Sequence, residues 1–319
     1  MAARHRAGTV WAIVNPAAAN GRAGERWPAL GGRLRQAGVD LTACVTCGPG
    51  DGIRCARMAV AHGADLLVVV GGDGTLNEVV NGCLDATSAP GQPPPRVALW
   101  PVGTGADFAR GFGIGGDEEA LAAVLRGVPH PVDIGRATFR DEAGNLAERA
   151  FVNVADLGLG PETSRRIARG ASWFGPGAYF SGALASIAAY RPTRVRLTVD
   201  GEVAYQGDAG LVAVAIGRYF GGGMRIAPHA RLDDGLFDVF LLEHTSRRVL
   251  ATELLPLVYR GAHPRHPAVH FYRGGAVTIE AGAPFPLELD GEVIGATPVA
   301  VTLLPQALQV MAPPSGRMV

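Results

Sequence analysis

The 319-residue chain contains no lysine, so all 29 of its Lys-plus-Arg positions are arginine. That absence excludes chemistry that needs an amine on a flexible stem: a Schiff base, the phosphate lysine of a Walker A loop, or the strand lysine of a protein kinase. Net charge is also lacking. The 29 basic residues balance 29 acidic ones, so no bulk attraction to nucleic acid is implied. No apolar run approaches the ~20 residues needed to cross a bilayer. The basic start, Met1 to Gly8, is not followed by the apolar core of a signal peptide. Cysteine is scarce, at positions 44, 47, 55 and 83. Cys44 and Cys47 make a C-x-x-C, but it falls in a strand-like run, where residues three apart face opposite sides, and no second pair completes a zinc site. The expectation is a soluble, reduced, cytoplasmic protein with structural cysteines.

What is present centres on Leu66 to Gly82. An apolar run ending at Val70 reads as a buried parallel strand. The turn Gly71-Gly72-Asp73-Gly74 follows, and then a helical pattern with Leu76, Val79 and Val80 on one face. Strand, glycine turn and helix together present backbone N–H groups to an anion. Asp73 is out of place beside a phosphate unless a magnesium ion or a substrate hydroxyl lies between them. An ordinary Gly- and Asp-rich turn is the alternative.

Other segments repeat the pattern. Thr9 to Val14 reads as a strand ending at Asn15-Pro16, Glu25 to Gln36 as a helix broken early by Pro28, and Leu41 to Thr46 as a second strand. A helix then runs to about His62. After a Pro-rich loop, the strand Val97 to Pro101 leads into Gly103-Thr104-Gly105-Ala106-Asp107-Phe108-Ala109-Arg110. Alternating strands and helices imply a parallel sheet. Gly111 to Gly116 fits G-x-G-x-x-G but follows a helical pattern instead of a strand, so the dinucleotide reading fails. From about Pro131 the texture becomes short strands, with hairpin signals at Asp200-Gly201 and Asp290-Gly291 and helical segments near Glu162 to Tyr190 and Ser246 to Tyr259.

With both glycine turns placed, the chain resembles the diacylglycerol kinase catalytic-domain family, most closely its bacterial lipid kinases. The resemblance rests on Gly71-Gly72-Asp73-Gly74-Thr75-Leu76-Asn77-Glu78, on Pro101 to Arg110, on Gly221-Gly222-Gly223-Met224, on Leu232-Asp233-Asp234-Gly235-Leu236-Phe237-Asp238 and on Leu289-Asp290-Gly291-Glu292, in that order. It implies an α/β plus β fold. Residues 1–131 would form an N-terminal parallel-sheet nucleotide-binding domain, similar to NAD kinase and phosphofructokinase, to which a last strand near 305–319 can return. Residues 132–304 would form a C-terminal β-sandwich domain for the lipid.

The resemblance further implies transfer of the γ-phosphoryl of ATP to a lipid hydroxyl, with diacylglycerol the default acceptor and phosphatidic acid the product. Gly71, Gly72, Asp73, Gly74, Thr75, Leu76, Asn77 and Thr104 would bind the nucleotide, with Thr46 touching it and Asn15 at the edge. Asp73, Asp107 and Asp133 would form a water-mediated carboxylate network around a catalytic Mg²⁺. Asp107 can equally cap the following helix and Asp133 end a strand. Glu292 would be the general base, although Asp200-Gly201-Glu202 repeats its tripeptide; Asp290 would orient it or join the network. Asp234, with the backbone carbonyls of Arg231 and Leu236, matches a second, structural magnesium site, or else an Asp-Asp-Gly turn.

Two departures from the family pattern bear on affinity: Ala106 stands where an Asn is usual, and Ile216 precedes Gly217 where Asn-Gly is usual. The partner expected is a lipid at a membrane surface, met peripherally without a transmembrane segment; Arg165, Arg166 and Arg169 followed by Trp173, Phe174, Tyr179 and Phe180 are candidates for that contact. No nucleic-acid partner is expected, and monomer and homodimer both stay open. His263-Pro264-Arg265-His266 reads as structural. NAD kinase is the competing enzyme, and a non-catalytic nucleotide- or lipid-binding regulator the competing class.

Overall fold

The computed structural model describes residues 8–86, 95–102, 106–170, 184–188 and 191–314, with side chains of 167–170 outside the description. The chain divides into two compact units, Met1–Val132 with Gln306–Val319, and Asp133–Pro305.

In the first unit, strands β1 (Val10–Val14), β2 (Leu41–Val45), β3 (Leu66–Gly71) and β4 (Arg96–Pro101) alternate with helices α1 (Arg22–Gln36), α2 (Asp51–Ala61) and α3 (Asp73–Ala86). Short α4 (Asp107–Gly111) and α5 (Asp117–Arg126) follow. All pairings are parallel, in the order β2, β1, β3, β4 and then residues 309–311 near the chain's end. Burial of β1 and β3 on both faces explains their unbroken apolar runs. Gly82 lets α3 pack against α2, since a Cβ there would lie 2.5 Å from the Ile53 carbonyl oxygen.

Two expectations are corrected here. Helix α1 runs unbroken from Arg22 through Pro28, because proline in its second turn forfeits only the bond to the Gly24 carbonyl. Cys44 is disulfide-bonded to Cys55, tying β2 to α2, so the reading of all four cysteines as reduced does not hold. Cys44 points inward from the strand onto the buried face of α2, while Cys47, past the strand end, is an exposed thiol.

The second unit contains most of β5 (Val128–Asp141), then β6 (Leu146–Phe151), β7 (Val154–Gly158), α6 (Leu159–Gly170), β8 (Thr193–Val199), β9 (Glu202–Ala215) and β10 (Phe237–Glu243). Helix α7 passes through Arg247–Val249, a π-helical turn at Leu250–Leu254, and Leu255–Arg260. Strands β11 (Val269–Gly274), β12 (Ala276–Ala281), β13 (Pro286–Leu289) and β14 (Glu292–Ala312, its last residues in the first unit) complete it. The pairings close on themselves in the order β9, β7, β13, β14, β12, β8 and back to β9. Inside that ring lies one core, including Leu157, Leu197, Val214, Ile279 and Leu287. The outer face of β7, β9 and β10 packs a second cluster with Phe220, Met224 and α7.

Both Asp-Gly turns are tight hairpins, with φ of 49° and 86° at Asp200 and Gly201, and 49° and 92° at Asp290 and Gly291. The run Ala150 to Val154 is divided between β6 and β7, where Asn153 turns its carbonyl to the N–H groups of Ile216 and Gly217. Among the described residues no helix is long and apolar enough to cross a membrane.

Candidate active site

In a parallel sheet the strand ends that lead into helices share one edge, where ligands bind. Asn15, Thr46 and Gly71 lie there. Their backbones are joined: Asn15 N–H donates to the Val70 carbonyl at 3.0 Å, Thr46 N–H to Val14 at 2.8 Å, and Val102 N–H to Gly71 at 3.2 Å. The Asn15 side chain donates to Thr75 Oγ1 at 3.0 Å, and so reaches the first turn of α3. Gly71 is required by packing, since a Cβ would lie 2.5 Å from the same Thr75 oxygen.

Helix α3 starts at Asp73, so Gly72, Gly74 and Thr75 surround an N-terminus whose first N–H groups have no partner within the helix. Thr75, Leu76 and Asn77 are buried, and Asn77 accepts from the Asn81 side chain. The neighbouring α2 N-terminus is already occupied. Glu78 accepts from Gly50 N–H and Gly52 N–H, both at 2.7 Å, and Asp51 accepts from Cys47 N–H at 2.8 Å. A phosphate would meet carboxylates at α2, whereas at α3 it meets the positive end of a helix. Glu78 was quoted only as part of a motif; its spacing to Gly50 carries no sequence signal for this role.

Asp73 points across to α4, accepting from Asp107 N–H at 2.9 Å and Phe108 N–H at 3.4 Å. It therefore caps a helix 34 residues away and joins the two glycine-turn motifs. Asp107 does not cap its own helix. It is the first helical residue, its carboxylate is buried, and Arg110 Nη2 lies 3.7 Å away. Ala106, at the cap position, makes no side-chain bond; Asp73 fills the role that an Asn there could take. Asp73 and Asp107 supply hard carboxylate oxygens of the kind Mg²⁺ takes, and the two residues are joined through the Asp107 N–H. Thr104 lies outside the described residues.

In the second unit, buried Asp133 is bound to the turn at 232–235. Its N–H donates to the Leu232 carbonyl at 2.7 Å, and its carboxylate accepts from Gly235 N–H at 2.8 Å. Asp234 accepts from Leu236 N–H at 3.3 Å through one oxygen and from Arg273 through the other. At the expected second magnesium site, with Arg231 and Leu236, the Asp234 carboxylate is paired with the Arg273 guanidinium, whose charge opposes a second cation there.

Glu292 opens β14 and forms an ion pair with Arg149 at 2.7 Å. Asp290 accepts three buried amides, from Val152, Asn153 and Val154, at 2.8, 2.9 and 3.1 Å. It therefore orients the hairpin. Asp200 serves its own hairpin in the same way, accepting from Gly275 and Ala276 at 2.9 Å. Glu292 differs from Glu202 in its arginine partner and in being half-buried where Glu202 is exposed. Arg149 and Asn153 were missed by sequence reasoning, since their partners are far along the chain. Asn153 also explains Gly217, where a Cβ would lie 2.1 Å from the amide oxygen.

Buried Asp156 on β7 pairs across strands with Glu288 on β13. Burial, then the charges of Glu288 and Asp290, holds Asp156 well above the ordinary carboxylate range. Burial pushes Glu288 up to about 7. Gly160 makes room for Asp156, whose carboxylate oxygen lies 1.7 Å from where a Cβ would be.

On the same face of the unit lies an apolar cavity of ≈ 70 Å³, lined by Leu159, Leu211, Phe220, Met224, Phe240 and Leu254 among others. Thr163 turns its hydroxyl back to the Leu159 carbonyl. The Gly221-Gly222-Gly223 turn, with φ of 60°, 78° and 105°, folds Phe220 onto Met224 and sets both in the wall. The His263 Nε2 lies 3.0 Å from the Ile226 carbonyl, and burial lowers its pKa to about 4. Arg165 and Arg166 pair with Glu142 and Glu162. Trp173, Phe174, Tyr179 and Phe180, and the side chain of Arg169, lie outside the described residues.

Residues 9–137 match the diacylglycerol kinase catalytic domain, and residues 154–312 the YegS C-terminal NAD kinase beta sandwich-like domain. A diacylglycerol kinase of Mycobacterium tuberculosis (strain H37Rv) is 32% identical over 98% of this chain and 98% of its own length. The structure of a putative diacylglycerol kinase from Bacillus anthracis superposes with a TM-score of 0.78 at 26% identity, covering 98% of this chain and 100% of that one. Yeast NADH kinase shares the fold, with a TM-score of 0.52 at 14% identity over 97% of this chain and 84% of that one.

Proposed function

Because the chain belongs to the diacylglycerol kinase catalytic-domain family and is a lipid kinase, we propose that it transfers the γ-phosphoryl group of ATP to the free hydroxyl of diacylglycerol, giving phosphatidic acid. The observation that carries this reading is the bond from Asp107 N–H to Asp73, which ties the two glycine-turn motifs together at the N-terminus of α3.

Phosphoryl transfer requires positioning and charge neutralisation more than covalent help from the protein. The α3 amides after Gly71 receive phosphate oxygens, Asn15 fixes Thr75, and Thr46 and Thr104 contact the nucleotide. Asp73, Asp107 and Asp133 are the residues that would hold a Mg²⁺ through water, and the ion would supply charge neutralisation at the phosphates. Glu292, held by Arg149, takes the proton of the lipid hydroxyl as its oxygen bonds to the γ-phosphorus. The bond from that phosphorus to the β–γ bridging oxygen breaks, and ADP leaves. The apolar cavity near Phe220 and Leu254 takes an acyl chain; its wall offers almost no polar group that would compete for one. The protein acts from the cytoplasmic side as a peripheral visitor to the lipid surface, and a homodimer is compatible with this chemistry.

The test is transfer of label from γ-labelled ATP to mixed vesicles containing diacylglycerol, monoacylglycerol or ceramide, with NAD offered in parallel. Label in phosphatidic acid is expected; label in NAD alone would move the protein to the NAD kinase reading. Val258→Trp, which fills the cavity, is expected to raise KM for long-chain diacylglycerol and leave KM for ATP unchanged. An unchanged lipid KM would remove the acyl-chain assignment.

A further inference from the structure

We propose that Arg273 is a built-in cation at the 231–236 loop, doing there the work of a divalent metal ion and thereby positioning Asp133. The loop gathers Asp133, Asp233, Asp234 and, at the start of β10, Asp238. The basic side chains beside them are Arg273 and Arg231, with the ring of His229 near Asp238. Arg231 reaches only Asp233, at 3.8 Å, from a largely exposed position. Arg273 is placed by the sheet itself, since β11 pairs it directly across from Asp238. From there its Nη2 donates to Asp234, and its Nε lies 3.6 Å from Asp238 Oδ1.

A planar guanidinium with five donors can serve two carboxylates at once. Being covalently tethered, it loses no translational freedom in doing so, whereas Mg²⁺ would have to shed tightly held water. Both Asp234 oxygens are engaged, one by Arg273 and the other by Leu236 N–H, and a metal ion there would face the guanidinium charge at close range.

The consequence reaches Asp133. The loop that Arg273 closes is the one that binds Asp133 twice, through the Leu232 carbonyl and Gly235 N–H. Gly235 needs its φ of 74° to turn that N–H inward. Fixing Asp234 fixes the next residue, Gly235, and so the direction of the Asp133 carboxylate. Arg273 is a positioning residue: it acts through Asp234 and the loop. Only this last step rests on the role proposed above for Asp133; the cation assignment does not.

The experiment is thermal unfolding of the full chain without nucleotide, first in EDTA and then in millimolar Mg²⁺ or Ca²⁺. Arg273→Gln is expected to lower Tm by about 3–6 °C in EDTA, the loss of a charge-assisted pair in a unit of this size. Added Ca²⁺ is expected to restore most of it with an apparent Kd on the order of 10⁻⁴–10⁻³ M, as for a site with few carboxylates. Asp234→Asn in the same background abolishes that recovery, separating this loop from the Asp73–Asp107 region. The parent protein gains no Asp234-dependent stability from either metal. Arg273→Lys, the milder change if Gln prevents folding, keeps the charge without the fork and falls between the two.

A parent protein stabilised by Ca²⁺ in an Asp234-dependent way overturns the assignment, as does a glutamine variant with unchanged Tm. Turnover is read separately: the glutamine variant loses kcat at unchanged KM for ATP and regains it with Ca²⁺-restored loop order at saturating Mg²⁺-ATP. Recovery of Tm without any kcat effect keeps Arg273 as the loop's cation and removes Asp133 from the catalytic set.

Discussion

Asp73→Asn separates the two tasks that fall on one carboxylate. The side chain caps α4 through the Asp107 and Phe108 N–H groups, at 2.9 and 3.4 Å. Asparagine keeps an acceptor oxygen and is nearly as good a cap as aspartate. What the fold loses is charge near a helix N-terminus, together with the longer bond, about 1 kcal/mol in all. In a protein of this size that lowers Tm by roughly 2–4 °C and leaves nearly every molecule folded at 25 °C.

Catalysis loses far more if the carboxylate also organises the ion at the phosphates. Removing one preorganised electrostatic group from such a site typically costs about 3–4 kcal/mol of transition-state stabilisation, on the order of a 10²–10³-fold fall in kcat. The assay is initial-rate phosphorylation of diacylglycerol in mixed micelles at several Mg²⁺ concentrations, alongside a melting curve. A kcat within about tenfold of the parent, with the small Tm loss, would mean that Asp73 is a helix cap and nothing more, and the magnesium network would have to be rebuilt without it.

Glu292→Gln should lower kcat by about 10²–10⁴-fold with little change in either KM, while Glu202→Gln on the other Asp-Gly hairpin leaves turnover unchanged; the reverse pattern exchanges their roles. Glu288 titrates near 7 in the fold against 4.5 when free, so its contribution is complete below pH 4.5 and is lost as pH climbs to 7, at most about 3 kcal/mol. His263 has the opposite sign. Its folded value of about 4 lies below the usual 6.5, so its contribution is complete above pH 6.5 and is lost as pH falls to 4, again at most about 3 kcal/mol. The two slopes oppose each other, and Asp156, raised by the same burial, adds to the Glu288 slope. Relative to the parent, urea denaturation between pH 4.5 and 6.5 should show Glu288→Gln gaining stability with pH and His263→Gln losing it; curves parallel to the parent's would show that neither group is as shifted as its burial implies.

Much of the fold was legible locally. The apolar runs at Val10–Val14 and Leu66–Gly71 could only be strands covered on both faces, and the Asp-Gly pairs at 200 and 290 could only be tight turns with positive φ. Those features depend on residues adjacent in the chain. The short α4 was legible in outline, but its cap was not. Asp107 had the right residue type in the right place, yet the bond comes from Asp73. The disulfide escaped because the nearest spacing, Cys44 to Cys47, draws attention to a local pair, whereas Cys55 faces Cys44 only after α2 packs on the sheet.

The sequence by itself determined which turns are glycine-rich, which strands are buried, the hairpin geometry and the family. Tertiary structure decided the partner of each charge. Glu78 serves Gly50 and Gly52, Asp290 serves three amides more than 130 residues away, Arg149 holds Glu292, and Arg273 closes on Asp234. The physical reason is range. Backbone preference and hydrophobic period act over a few residues and can be read in order, whereas a buried carboxylate must find whichever donors the finished packing brings within hydrogen-bond reach.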